Sequence, residues 1–273
     1  MSPAFFDAYM AVMVFLVGAC VGSFLNVCIH RIPREESVVA PRSRCPHCGG
    51  PIAWYDNLPI LSWLLLRARC RRCGGAISAR YALVELLTAV LFWLAWRRFG
   101  IDPRTPVYLL VLSGLILGTF VDLEHMIIPD RVTLGGIVAG LALSPLVPAL
   151  HGAAGPMAAL RAAAIGVAAG SGGLYAVAVL GRWAFGKEAM GLGDVKLLGA
   201  VGAFFGWPAV LFTIVVSSFL GTLAGVGFIL AGRKAWGSRI PYGPYLAVAA
   251  ALWMFGGDHL WQAYVDWLRV PPG

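Results

Sequence analysis

The chain has 273 residues, 59% of them hydrophobic and only 12% charged, with a mean hydropathy of +0.79. A soluble domain carries about 25% charged residues, so an ordinary water-facing surface is excluded. The formal net charge of +8 does not itself point to nucleic acid, because in a membrane chain Lys and Arg first report which loops stay in the cytoplasm.

A bilayer span needs roughly 20 mainly apolar residues. That template predicts Phe5 to Ile29, Tyr81 to Trp96, Pro106 to Val121 and Val132 to Leu150 as spans, then Met157 to Leu180, Val195 to Phe205, Ala209 to Ala231 and Pro241 to Phe255. The first run lacks the basic flank of a cleavable signal and reads as a permanent span. Gly206-Trp207-Pro208 leaves two options around it: a short span followed by a tight turn, or one long kinked segment. The expected fold is an all-α polytopic membrane protein of about eight transmembrane helices with a small cytoplasmic zinc-binding subdomain. Its expected parts are a first transmembrane helix at 1–29, a four-cysteine loop domain at 30–80 and a membrane-embedded core at 81–273.

Orientation follows from the basic residues. With both termini outside, the loops at His30 to Arg80, around Arg131, around Arg182 to Lys196 and at Arg233 to Arg239 lie inside. Only Arg97, Arg98, Arg104, Arg161 and Arg269 of the 21 Lys and Arg residues fall on the other side. This asymmetry accounts for the net charge through the lipid bilayer and its cytoplasmic face, with no nucleic-acid partner.

The long loop carries Cys45-Pro46-His47-Cys48 and Cys70-Arg71-Arg72-Cys73. Two C-x-x-C turns at such a separation supply four sulfurs to a tetrahedral Zn2+. Nearby arginines would favour thiolates. Four cysteines leave no open position, so the metal role is structural; His47 is an alternative fourth ligand. Two redox or disulfide pairs are the other reading, disfavoured in a reducing compartment. Cys20 and Cys28 read as small buried residues of the first span.

With only 13 acidic residues, each can be weighed. Asp122 falls where the third span ends, and Asp194 follows Gly191-Leu192-Gly193 where the sixth begins. Ionisable groups at membrane depth are expensive and usually functional. The topology puts both on the cytoplasmic side at similar depth. Two neighbouring carboxyl groups share one proton, so one can activate water while the other protonates the scissile carbonyl. Gly191 and Gly193 would permit positive φ and close backbone approach beside the acid. The plainer reading is a pair of interfacial loop acids. Asp130 is an auxiliary or structural acid nearby, and Glu124 and Glu188 could draw in a basic peptide.

These motifs together resemble the bacterial type IV prepilin peptidases. The matching stretches are Gly22-Ser23-Phe24-Leu25-Asn26-Val27, the two cysteine pairs, Trp54-Tyr55-Asp56-Asn57-Leu58-Pro59, Leu61-Ser62-Trp63, Arg80-Tyr81 with Val84-Glu85, and the segments of Asp122 and Asp194. The second acid motif is the Gly-x-Gly-Asp also found in presenilin-like proteases. The resemblance implies an aspartic endopeptidase of the bacterial inner membrane, with Asp122 and Asp194 catalytic. Its substrate would be a type IV prepilin or pseudopilin, cut between a short basic leader and an apolar helix. It further implies S-adenosylmethionine-dependent methylation of the new amino terminus, an activity tied in the family to the cysteine loop. Two rivals remain. A polytopic transporter would carry repeat symmetry and acids near mid-membrane, and neither is visible. A zinc-ribbon membrane scaffold explains the cysteines but gives Asp122 and Asp194 no role.

Overall fold

A computed structural model describes residues 3–186, 191–232 and 240–269. Glu188, Lys187, Arg233, Lys234 and Arg239, which entered the charge reading above, lie outside the described residues. The described residues fold into α-helices joined by short 3-10 and π turns. In chain order they are α1 Pro3–Arg31, α2 Leu61–Leu65, α3 Ala79–Phe99, α4 Arg104–His125, α5 Asp130–Leu143, α6 Pro156–Val167, α7 Gly173–Phe185, α8 Leu192–Leu230, α9 Gly243–Leu252 and α10 Asp258–Arg269. Five segments among them are long and apolar enough to cross a membrane: Phe5–Arg34, Ala79–Phe99, Arg104–His125, Pro156–Trp183 and Leu192–Leu230. The protein is therefore a polytopic, all-α membrane protein.

The other expected spans are helical but shorter. At 1.5 Å per residue, the 14 residues of α5 reach about 21 Å and the 10 of α9 about 15 Å, against a hydrocarbon core of about 30 Å. The open question at Gly206-Trp207-Pro208 is answered by the backbone. Gly206 takes φ 78° and ψ 178°, so α8 is two rods broken at that residue. Pro208 then sits at the start of the second rod, where its missing N–H costs nothing.

The chain divides into two units, Met1–Leu117 and Gly118–Gly273, with the boundary inside α4. In the first, α1 packs along α3. Gly18 and Gly22 are spaced one turn apart, and a Cβ on Gly22 would stand 2.7 Å from Glu85 Cα. The 3-10 turn Trp54–Asn57, α2 and two cysteine-bearing turns fill the segment between α1 and α3.

In the second unit α8 is the axis. The helices α5, α6 and α9 and the π turn Ala168–Gly172 pack on it. Val195, Leu197, Leu198, Val201, Phe204 and Phe205 of its first rod are buried. Contact with α6 is backbone on backbone: a Cβ on Gly166 would lie 2.0 Å from Gly202 O, and one on Gly202 2.0 Å from Gly166 O. In lipid, where apolar burial gives no drive between helices, such small-residue crossings supply the packing.

Because the obstructing atoms are backbone, Gly166→Val and Gly202→Val should each destabilise the purified protein by about 1–3 kcal/mol. Gly173→Ala, which meets no atom within 4 Å, serves as the control. The thermal midpoint in detergent measures this, and a Gly166→Val protein melting with the wild type would refute the crossing.

Candidate functional site

Asp122 lies in the last turn of α4 and is only 5% exposed. The helix ends just beyond it: Met126 turns to φ 56° and donates its N–H to Asp122 O at 2.9 Å. A left-handed residue in this position is a common way to finish a helix. The chain then runs through Ile127 and Ile128 to Pro129, which precedes α5. Asp122 Oδ2 accepts a hydrogen bond from the backbone N–H of Gly243 at 2.9 Å. That N–H belongs to the first residue of α9, one of the four donors that a helix start leaves unpaired.

Asp194 sits in the first turn of α8 and is half-buried. Its N–H donates to Gly191 O at 3.2 Å, which folds the Gly-Leu-Gly-Asp segment into the helix start. The two acids, 72 positions apart in sequence, belong to segments that meet at a common neighbour, Ile128. Ile128 lies between their supports. A Cβ on Gly193 would meet Ile128 Cβ at 3.3 Å, and one on Gly243 would meet Ile128 Cδ1 at 3.0 Å and Asp122 Oδ2 at 2.8 Å.

The expected role of Gly191 and Gly193 is thus half corrected. Neither takes positive φ, since Gly191 has φ −73° as the N-cap of α8 and Gly193 is helical. What Gly193 provides is close approach to Ile128. Asp130 does not join the pair, because it opens α5 and accepts from Lys196 Nζ at 2.7 Å. That ion pair ties the start of α5 to the first turn of α8.

Gly243 was missed in the sequence reading. The signal was there as Pro241-Tyr242-Gly243-Pro244, two prolines around a glycine at the head of an apolar run. Tyr242 fixes this turn, its hydroxyl sharing a 2.7 Å hydrogen bond with Ser217 Oγ of α8. No sequence pattern connects that turn to an acid 121 positions earlier.

The four cysteines of the loop form the second cluster. Their sulfurs all lie within 4.8 Å of one another, and Cys45 Sγ is 3.9 Å from Cys73 Sγ. A tetrahedron with metal–sulfur bonds of about 2.3 Å has edges of about 3.8 Å, so the tetrad could hold a metal ion. The two turns repeat each other bond for bond. Cys45 N–H donates to Gly50 O and Gly49 N–H to Cys45 O, while Cys70 N–H donates to Gly75 O and Gly74 N–H to Cys70 O. Gly49 and Gly74 both take positive φ, at 66° and 69°, which is what a Cys-x-x-Cys-Gly-Gly turn requires.

The thiolate is favoured by a different donor than expected. Backbone N–H groups of Cys73 and Arg72 bring the Cys70 thiol down to about 6. Arg71 turns away to a bidentate pair with Asp56, with its Nη2 2.7 Å from Oδ1. His47 is no ligand in this arrangement, since its Nε2 donates to Ala76 O at 3.1 Å.

Comparison with known proteins bears on both clusters. Residues 16–99 match the Bacterial Peptidase A24 N-terminal domain, and residues 109–226 match the Type IV leader peptidase family. A relative from Aeromonas hydrophila named prepilin leader peptidase/N-methyltransferase is 40% identical over 281 residues, covering 93% of each chain. Proteins of the same name from Myxococcus xanthus and Pseudomonas aeruginosa are 44% identical over 234 residues and 34% over 275. The former alignment spans 85% of this chain and 67% of the relative, the latter 92% of each. No solved structure matches. A chain aligned nearly end to end at this identity, with both domain models in order, belongs to the type IV leader peptidase family.

Proposed function

We propose that the protein removes the short basic leader from type IV prepilins and pseudopilins, with Asp122 and Asp194 as the catalytic pair, and then methylates the new amino terminus. The observation that carries the reading is geometric: Ile128 packs against both Gly193, the neighbour of Asp194, and Gly243, whose N–H holds Asp122. The names borne by the relatives support both activities.

Hydrolysis follows from a pair that shares one proton. The ionised carboxylate takes a proton from a water, whose oxygen attacks the scissile carbonyl carbon. The protonated partner gives its proton to the carbonyl oxygen, so that no free oxyanion forms. The resulting diol collapses as the first acid returns its proton to the leaving amine nitrogen and the second carboxylate takes a proton from a diol hydroxyl, so that the pair is restored. Gly243 keeps Asp122 in one orientation through the cycle. The basic loops support an inner-membrane protein with this site at the cytoplasmic face, where a basic leader stays in water while the substrate's apolar helix remains in the bilayer. In this reading residues 81–273 form the protease core behind the first span.

For residues 30–80, Cys45, Cys48, Cys70 and Cys73 would hold a structural Zn2+. Bound there, the metal cross-links the two halves of a segment with little apolar core of its own. Methylation calls for S-adenosylmethionine, which supplies a methyl group on a sulfonium.

Three outcomes are expected. Asp122→Asn and Asp194→Asn, which nearly preserve shape, should each lower leader release from a pilin-type precursor by about 10²–10⁴-fold or more, as read by mass spectrometry of the released peptide. Near-normal cutting by either variant would remove that residue from the catalytic pair. Gly243→Ala should also slow cleavage, by about tenfold or more, since its Cβ would press on Asp122 Oδ2 at 2.8 Å; wild-type kinetics would show the contact to be incidental. Elemental analysis of protein purified under reducing conditions should find one zinc per chain, lost in Cys45→Ser and Cys70→Ser. Absence of metal together with four thiols blocked to maleimide in protein purified without reductant would establish disulfide pairs instead.

A further inference from the structure

The last helix of the described residues, α10, differs in kind from the long apolar ones. Its 12 residues reach about 18 Å, too short to cross a hydrocarbon core of about 30 Å. At 3.6 residues per turn its side chains sort onto two faces. Leu260, Trp261, Tyr264, Val265, Trp267 and Leu268 fall on one, and Asp258, His259, Gln262, Asp266 and Arg269 on the other.

The apolar face is itself divided. Along one edge Trp261 meets Trp207 of α8 edge to face, with ring centroids 5.7 Å apart. Along the rest, Leu260, Tyr264, Trp267 and Leu268 are each more than half exposed. The rings of Tyr264 and Trp267 stack on each other, with centroids 6.4 Å apart, so the uncovered part is a continuous strip.

Two neighbouring elements fix where α10 lies along the bundle. The first rod of α8 begins beside Asp194 and breaks at Gly206, which carries Trp207 about 20 Å from that acid. Likewise α9 begins at Gly243, the donor to Asp122, and runs into the π turn Trp253–Gly257, where Trp253 packs on Phe212 at 5.4 Å between centroids. In that turn Gly256 takes φ 158° and ψ 0°, which breaks the helix before α10 starts. The helix α10 therefore stands at the end of the bundle opposite Asp122 and Asp194, set off from α9 by a glycine.

We propose that α10 lies in the headgroup layer of the bilayer face opposite the two acids, with Leu260, Tyr264, Trp267 and Leu268 turned towards the lipid acyl chains. A short helix with sharply divided faces and low net hydrophobicity is the kind that lies in this plane. Trp and Tyr gather in the same layer because their rings are apolar while their N–H and O–H reach water. Held out in water, the strip would expose four large apolar side chains together, a patch that water-facing surfaces avoid. The polar face carries two aspartates against one arginine, so burial of the strip, not attraction to anionic lipid, supplies the affinity. Through Trp261 and Trp207 the helix then fixes the depth of the Gly206 break.

Photo-crosslinking tests this on the full chain, reconstituted in liposomes of phosphatidylethanolamine and phosphatidylglycerol. Benzoylphenylalanine is placed singly at Tyr264, Trp267, Gln262 or Asp266, and the adducts are weighed by mass spectrometry. Phospholipid adducts should form from positions 264 and 267 and be lost at 262 and 266. Adducts joining two copies of the chain through 264 or 267 would make the strip a protein interface and overturn the proposal. Lipid adducts from all four positions, which mean a submerged helix, or from none, which mean a helix in water, would overturn it equally. Should a substituted chain fail to fold, the fluorescence difference between the wild type and Trp267→Phe decides. Phosphatidylcholine brominated close to the headgroup end of its acyl chains should quench the Trp267 contribution, and an unquenched contribution would refute the placement.

Discussion

A backbone that crosses lipid must satisfy its own N–H and C=O groups, and the architecture follows from that one constraint. It makes the membrane-crossing segments helical, and it makes every interruption of a helix a place where unpaired donors and acceptors need partners. The proposed catalytic pair stands at such interruptions. Asp122 closes α4, Asp194 opens α8, and the donor to Asp122 comes from the opening residue of α9. A carboxylate at this depth needs a donor, and a helix start has donors to spare. Each need is met by the other.

The tight helix crossings serve the same end. Gly166 against Gly202 brings α6 and α8 to backbone contact, so the first rod of α8, which begins with the Gly-Leu-Gly-Asp segment, is held by packing along its length. Lys196, one turn into the rod, adds a tie to Asp130 at the start of α5. Ile128 then fills the space between Gly193 and Gly243. The acids are positioned by helices.

How far the sequence revealed this depends on the range of each interaction. The cysteine tetrad was legible because each Cys-x-x-Cys-Gly-Gly turn is a local geometry, closed by hydrogen bonds spanning four or five residues. The helices were legible because apolar length is local too, and both acids stood out because so few acids exist. The site's remaining parts depend on contacts across the fold. Gly243 meets Asp122 over 121 positions, and nothing in either segment names the other. The crossing of Gly166 and Gly202 was hidden for a related reason: glycine is frequent in this chain, at 34 residues, so composition cannot tell a crossing point from a turn. At Gly206-Trp207-Pro208 the proline drew attention to the break, yet the glycine carries it, because only the glycine must take positive φ.

A division among the acids shows how a chain so rich in arginine arranges its charges. Three acids that are not buried take basic side chains as partners: Asp56 with Arg71, Asp102 with Arg104, Asp130 with Lys196. The buried ones do not. Asp122 takes the Gly243 N–H and Glu85 takes the Ile60 N–H, as the Cys70 sulfur takes those of Cys73 and Arg72. A long basic side chain brought to such a site would carry its own desolvation cost and would neutralise the group outright. A backbone N–H is a fixed dipole, already dehydrated by its place in a turn, and it leaves the acid free to exchange its proton. The basic residues are thereby released to the loops, where they orient the chain in the bilayer, and the reactive anions are left to the backbone.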